Sequence, residues 1–133
     1  MASTNKRLTV PVGTKSFIAD IAFEASNVTT GVGKTGLAYN TSSMVAYSSK
    51  NHAAPAVMTL VNGTVGTFVS LGFVEVDSTN QPGLYQLGVP DALLDTAGVV
   101  EIIIKGASNV SDCRLTIEVV GYVQIASGLL KPY

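Results

Sequence analysis

Several groupings of residues in this chain have side chains of the kinds that chemistry requires. Thr30-Gly31-Val32-Gly33-Lys34-Thr35 carries the Gly-Lys-Thr ending of a phosphate-binding loop. In that motif backbone N–H groups cradle the phosphates, the lysine neutralises charge, and a following helix points its positive end at the anion. The pattern also requires a glycine five positions before Gly33, where Val28 stands. The residues that follow, Gly36-Leu37-Ala38-Tyr39, read as a strand rather than a helix. The segment is therefore read as a flexible Gly-rich loop. His52 is the single histidine. No cysteine or second histidine accompanies it to hold zinc, and no Gly-x-Ser-x-Gly elbow supports a Ser–His–Asp arrangement. It reads as an exposed loop residue.

Two carboxylate pairs, Glu75 with Asp77 and Asp91 with Asp95, have spacings that place each pair on one face of a strand or a helical turn. Such pairs serve glycosidic acid–base chemistry or calcium binding. Glu75 and Asp77 alternate with Val74 and Val76, however, which is the pattern of a solvated strand face. Cys113 opens an apolar face and behaves as a small core residue. Tyr39, Tyr47, Phe68, Phe73 and Tyr85 have the rings for a sugar-stacking platform, but the chain has no tryptophan, and core packing is the expectation. No catalytic residue, metal ligand or cofactor is assigned, and a non-enzymatic protein is expected.

The elements around these residues are short and alternating. Phe17, Ala19, Ile21 and Phe23 share one face of a strand, with Asp20 and Glu24 opposite. Residues 27–36 read as a loop, 37–47 as a strand broken near 40–43, and 48–55 as a second loop. Asn62-Gly63, between apolar segments 56–61 and 64–70, is the strongest hairpin signal in the chain. Strands are expected over 73–77, 84–89, 99–105 and 113–119, the last continuing over 122–125. Ser78 to Gly83 reads as a turn, and a short helical turn is expected over 90–96, led by Pro90 and stopped by Gly98. Seven to nine strands with turns at this spacing predict an antiparallel β-sandwich. The domain is placed at residues 16–125, between an N-terminal arm, 1–15, and a C-terminal tail, 126–133.

Composition narrows the function. The chain has 133 residues, 47% hydrophobic and only 13% charged, against about 25% charged in an ordinary soluble domain. No apolar run approaches the ~20 residues that span a bilayer. The basic residues are scattered, only Lys6 and Arg7 being adjacent, so no stripe exists to bind nucleic acid. One cysteine permits no internal disulfide, and the polar start has no apolar leader. A protein made in a cytoplasm is expected, and no membrane partner. A neutral surface with a net charge of −1 does little to oppose association.

Five pieces in order, Gly36-Leu37, Gly72-Phe73-Val74-Glu75-Val76-Asp77, Gln81-Pro82-Gly83-Leu84-Tyr85, Val89-Pro90-Asp91-Ala92 and Lys105-Gly106-Ala107, resemble a module of structural proteins of tailed bacteriophages. The resemblance covers residues 17–120. It implies an immunoglobulin-like sandwich and a virion component assembled in the bacterial host cytoplasm, and it transfers no catalytic residue. The chain ends soon after the module, which favours a capsid decoration (cement) protein over a neck, baseplate or tail-fibre adaptor, or a carbohydrate- or receptor-binding module. The expected partners are the major capsid protein or tail and baseplate proteins, with the chain itself a homo-oligomer. Leu8, Val10 and Val12 of the arm, and Leu129, Leu130 and Tyr133 of the tail, are the expected protein contacts, because they are apolar residues outside the alternating core.

Overall fold

The computed structural model describes residues 4–27, 31–124 and 130–132. In chain order the strands are β1 (Thr4–Pro11), β2 (Phe17–Ala22), β3 (Val45–Lys50), β4 (Ala56–Val57), β5 (Val61–Asn62), β6 (Gly72–Asp77), β7 (Gln81–Val89), β8 (Gly98–Lys105), β9 (Cys113–Val120), β10 (Tyr122–Gln124) and β11 (Leu130–Pro132). One 3₁₀ turn, Asp91–Leu94, joins β7 to β8. The strands form a five-stranded sheet, β1-β9-β8-β3-β4, a four-stranded sheet, β2-β7-β6-β5, and a separate β10-β11 pair. The protein is an all-β sandwich. Its strand order is immunoglobulin-like: β2, β7 and β6 of one sheet face β9, β8 and β3 of the other, and consecutive strands repeatedly change sheet.

Alternation explains the sandwich. Val100, Ile102 and Ile104 on β8, and Cys113, Leu115, Ile117 and Val119 on β9, are buried, while Glu101, Lys105 and Arg114 face outward. Tyr85, Leu87 and Val89 line the facing sheet from β7, and Ala19 and Ile21 do so from β2. A one-residue slip in any of these strands would turn its apolar set to water, so burial sets the register. At one end of the core Phe73 and Tyr85 stack, with centroids 5.2 Å apart, and Phe23 meets both edge-on. Such pairs stabilise by about 0.5–1.5 kcal/mol beyond their buried area.

Two expectations from the sequence are corrected by the structure. Residues 4–11 of the expected arm do not lie outside the core, because β1 pairs parallel with β9 along its whole length, Thr4 opposite Cys113 to Pro11 opposite Val120. Val10 is only 6% exposed within the core, and Leu8 and Val12 pack against it half-buried. They have the composition of a contact arm because strand and contact arm both need apolar residues at alternate positions. Nor is Asn62-Gly63 a hairpin turn. β5 runs parallel to β6, pairing Val61 with Gly72 and Asn62 with Phe73. Gly63 is there because a Cβ would lie 3.0 Å from the Phe73 backbone nitrogen, so its lack of a side chain serves a close approach rather than a turn.

Smaller differences have local causes. Residues 37–44 are not a strand, although Leu37 is buried. β3 instead continues to Lys50 and turns at Asn51-His52, both with left-handed backbone (φ 52° and 65°), Ala53 N–H closing on the Lys50 carbonyl. The turn after β6 ends at Asn80, so Pro82-Gly83 lies inside β7. There Gly83, at φ 90°, meets Gly33 backbone to backbone and donates no Cβ to the contact. The pairing of β6 with β7 is irregular between Glu75 and Asp77, opposite this point.

If β1 belongs to the fold, Val10→Ala should lower the free energy of unfolding by about 2 kcal/mol, read from denaturant midpoints. An arm outside the core would leave the midpoint unmoved.

Candidate functional site

A concavity of about 610 Å³ lies on the outer face of the five-stranded sheet. Pairing across five strands sets Val57, Tyr47, Ile103, Arg114 and Asn5 side by side in one row. The next row holds Ser49, Glu101, Thr116 and Arg7, and on the other side Val45 neighbours Lys105. An apolar strip, Val57-Tyr47-Ile103, therefore runs into a cation at Arg114, with Glu101 and Lys105 flanking Ile103 on its own strand. The alternation that buries Ile102 and Ile104 is what turns Glu101, Ile103 and Lys105 outward.

Some of the polar groups in and beside this trough have structural partners. Ser49 Oγ donates to the Ala53 carbonyl at 2.5 Å, which braces the Asn51-His52 turn. Arg7 pairs with Glu118 at 2.7 Å, and Arg114 approaches Asp112 at 3.8 Å. These pairs are exposed and contribute about 0–1 kcal/mol each. The surface offers apolar contact, both signs of charge and hydrogen-bonding groups, the ingredients of a protein-binding face.

The residues that the sequence offered for chemistry are dispersed. Val32 accepts the Ala25 N–H and Lys34 N–H reaches the Phe23 carbonyl, so residues 31–34 form an extended bridge rather than a loop before a helix. Val28 and Thr30 lie outside the described residues. His52 is exposed in its turn. Asp91 caps the Ser16 N–H, whereas Asp95 joins Lys50, which also donates to the Ala92 carbonyl and so clamps the 3₁₀ turn to β3. The hydrogen bond from Lys50 holds the Asp95 carboxyl below its usual range. Asp77 accepts the Asn80 and Thr79 N–H groups and the Asn80 amide, which lower its pKa and fasten the turn. Glu75 faces elsewhere, accepting the Gly36 N–H at 3.3 Å and lying 3.4 Å from the Tyr85 hydroxyl. The β6–β7 irregularity separates the two carboxylates that alternation alone would have placed together. Among the described residues, no three of His, Cys, Asp or Glu are grouped to hold a metal ion. The rings also divide: Phe73 and Tyr85 are buried, Tyr47 lines the trough and Tyr39 is exposed. Of the expected contacts, Leu129 and Tyr133 lie outside the described residues, and Leu130 belongs to β11.

Tyr85, expected as a core ring, also has a buried hydroxyl with partners inside the sandwich. It accepts the Leu37 N–H at 3.2 Å and donates to the Lys34 carbonyl at 2.8 Å. Burial pushes its pKa up to about 12; the Leu37 N–H pulls the other way, and the Glu75 carboxylate adds a further push. No protein-family model matches the chain, and neither a curated protein nor a solved structure does.

The folded Tyr85 value lies above the 10.0 of an ordinary tyrosine. Its stabilising effect is therefore complete below pH 10 and is lost as pH rises through about 12. In alkaline titrations Tyr85→Phe should start less stable and show less loss of stability across that window than the wild type. Parallel curves would remove Tyr85 from the linkage.

Proposed function

We propose that this chain is a non-enzymatic structural protein of a tailed-bacteriophage virion, a capsid decoration protein bound in many copies through protein–protein contacts. The observation that carries this reading is the outer face of the five-stranded sheet. Its apolar row, fenced by Glu101, Lys105 and Arg114, has the mixed character of a protein interface, in which apolar burial supplies affinity and charge supplies register. The ordered pieces that resemble phage structural modules support it from a second direction. Their polar residues are spent on the fold: Glu75 on Gly36, Asp77 on its turn, Asp91 on Ser16.

The contact surface of this reading is the trough in place of Leu8, Val10 and Val12, which the fold itself uses. Binding there requires no chemistry from the lone histidine or the buried thiol. The partner is the major capsid protein, and the protein resides in the virion.

Tyr47→Ala combined with Arg114→Glu should weaken binding to particles lacking the protein by roughly tenfold or more, a change of about 1.4 kcal/mol or above. The thermal midpoint should remain near that of the wild type, since both side chains face outward. Co-sedimentation with particles measures the first and calorimetry the second. Undiminished particle binding would refute the assignment of the face. A copy number per virion matching the tail rather than the shell would move the protein to the neck, baseplate or fibre.

A further inference from the structure

The two sides of the sandwich, where the sheets end, are unlike. On one side β1 and β2 are the outermost strands, and Lys6 of β1 crosses the gap to donate to the Asp20 carbonyl of β2 at 2.6 Å. A lysine on an exposed strand edge opposes pairing with another chain, because docking there would bury its charge. Arg7, paired with Glu118, adds further charge to the same side.

The opposite side has no such guard. β4 ends the five-stranded sheet and β5 ends the four-stranded one, and the chain passes directly from one to the other. From Asn51 to Val74 there is no Asp, Glu, Lys or Arg; every one of the 8 basic and 9 acidic residues lies elsewhere. Val57 is 71% exposed, Val65 46% and Val61 39%. The edge itself is open. Met58 N–H bonds the Ala46 carbonyl at 2.9 Å, and successive residues of a strand direct their backbone groups to opposite edges, so those of Val57 point away from β3.

We propose that this side is a self-association surface, on which β4 of one chain pairs antiparallel with β4 of a second copy across a two-fold axis beside Val57. The choice of a second copy rests on charge. A two-fold contact lays each patch on itself, so a surface with a single sign of charge repels its own image, whereas an uncharged one meets no like charge and strands no ion. Edge pairing supplies main-chain hydrogen bonds, and opposed Val57 side chains supply apolar contact at the distance of a cross-strand pair. The paired five-stranded sheets then form one continuous sheet through the dimer. The two troughs, whose walls include Tyr47 beside Val57, face the same way, so a dimer presents both to one partner surface. This last consequence rests on the proposed role of the trough; the dimer does not.

The test uses the purified 133-residue chain with no particle present, so its outcome is separate from that of the particle-binding experiment. Sedimentation equilibrium should show a dimer. Val57→Glu and Val57→Lys should each give a monomer with unchanged circular dichroism and melting, the side chain being exposed. An equimolar mixture of the two variants should restore the dimer, which damage to the fold could not do. A wild-type monomer at every concentration, a dimer that survives both substitutions, an oligomer larger than two, or a mixture that stays monomeric would each overturn the proposal.

Discussion

A buried phenol holds the connection that passes between the two sheets. Tyr85 is completely enclosed, and a hydroxyl taken from water without partners costs roughly 1–3 kcal/mol. Its partners, Leu37 N–H and the Lys34 carbonyl, belong to the long connection that leaves β2 in one sheet and enters β3 in the other. That connection has little regular structure of its own. It is held by Tyr85 from inside, by the Glu75 carboxylate at Gly36, and by the backbone contact of Gly33 with Gly83. Where the connection lies decides where β3 begins, and β3 carries Tyr47 and Val45 to the outer trough. The interior phenol and the exterior face are thus joined through one stretch of chain.

The same economy accounts for the polar residues. In a chain so poor in charge, each carboxylate that fastens a turn is one fewer available to a site. Asp77 closes the turn after β6, Asp91 fastens the entry to β2, and Asp95 holds Lys50 against the 3₁₀ turn. The lowered pKa values of Asp77 and Asp95 follow from that work, since donors favour the ionised form. Both carboxylates thus fasten the fold, Asp77 through the donors of its own turn and Asp95 through Lys50 of β3.

Periodicity made the central strands legible. β9 alternates cleanly over its full length and β7 and β8 over most of theirs, and every residue expected inward on them is buried. What escaped the sequence were features set by distant partners. β1 has no distinguishing pattern until Val10 is seen against β9, over a hundred residues away. Gly63 and Gly83 look like turn residues, and only the chains that press on them show that close approach is the reason. The trough could not be read as a unit because its row draws one residue from each of several strands, through a register that only pairing defines. Tyr85 is an ordinary inward residue by alternation, and nothing local marks its hydroxyl as the one needing two partners.

Strand order explains why the two sides of the sandwich differ. An immunoglobulin-like order returns the last long strand, β9, to the interior of its sheet only if another strand covers it, and β1 does so. That side is therefore closed by a strand of eight residues bearing Lys6 and Arg7. At the far side the chain crosses between sheets with two strands of two residues each, too short to occupy the edge they terminate. A short edge is ordinarily a defence against association. Here the residues around it are uncharged and include the exposed Val57, Val61 and Val65, so brevity leaves an opening instead. A fold that spends a strand and two cations guarding one side, and neither on the other, is asymmetric in where it tolerates a neighbour.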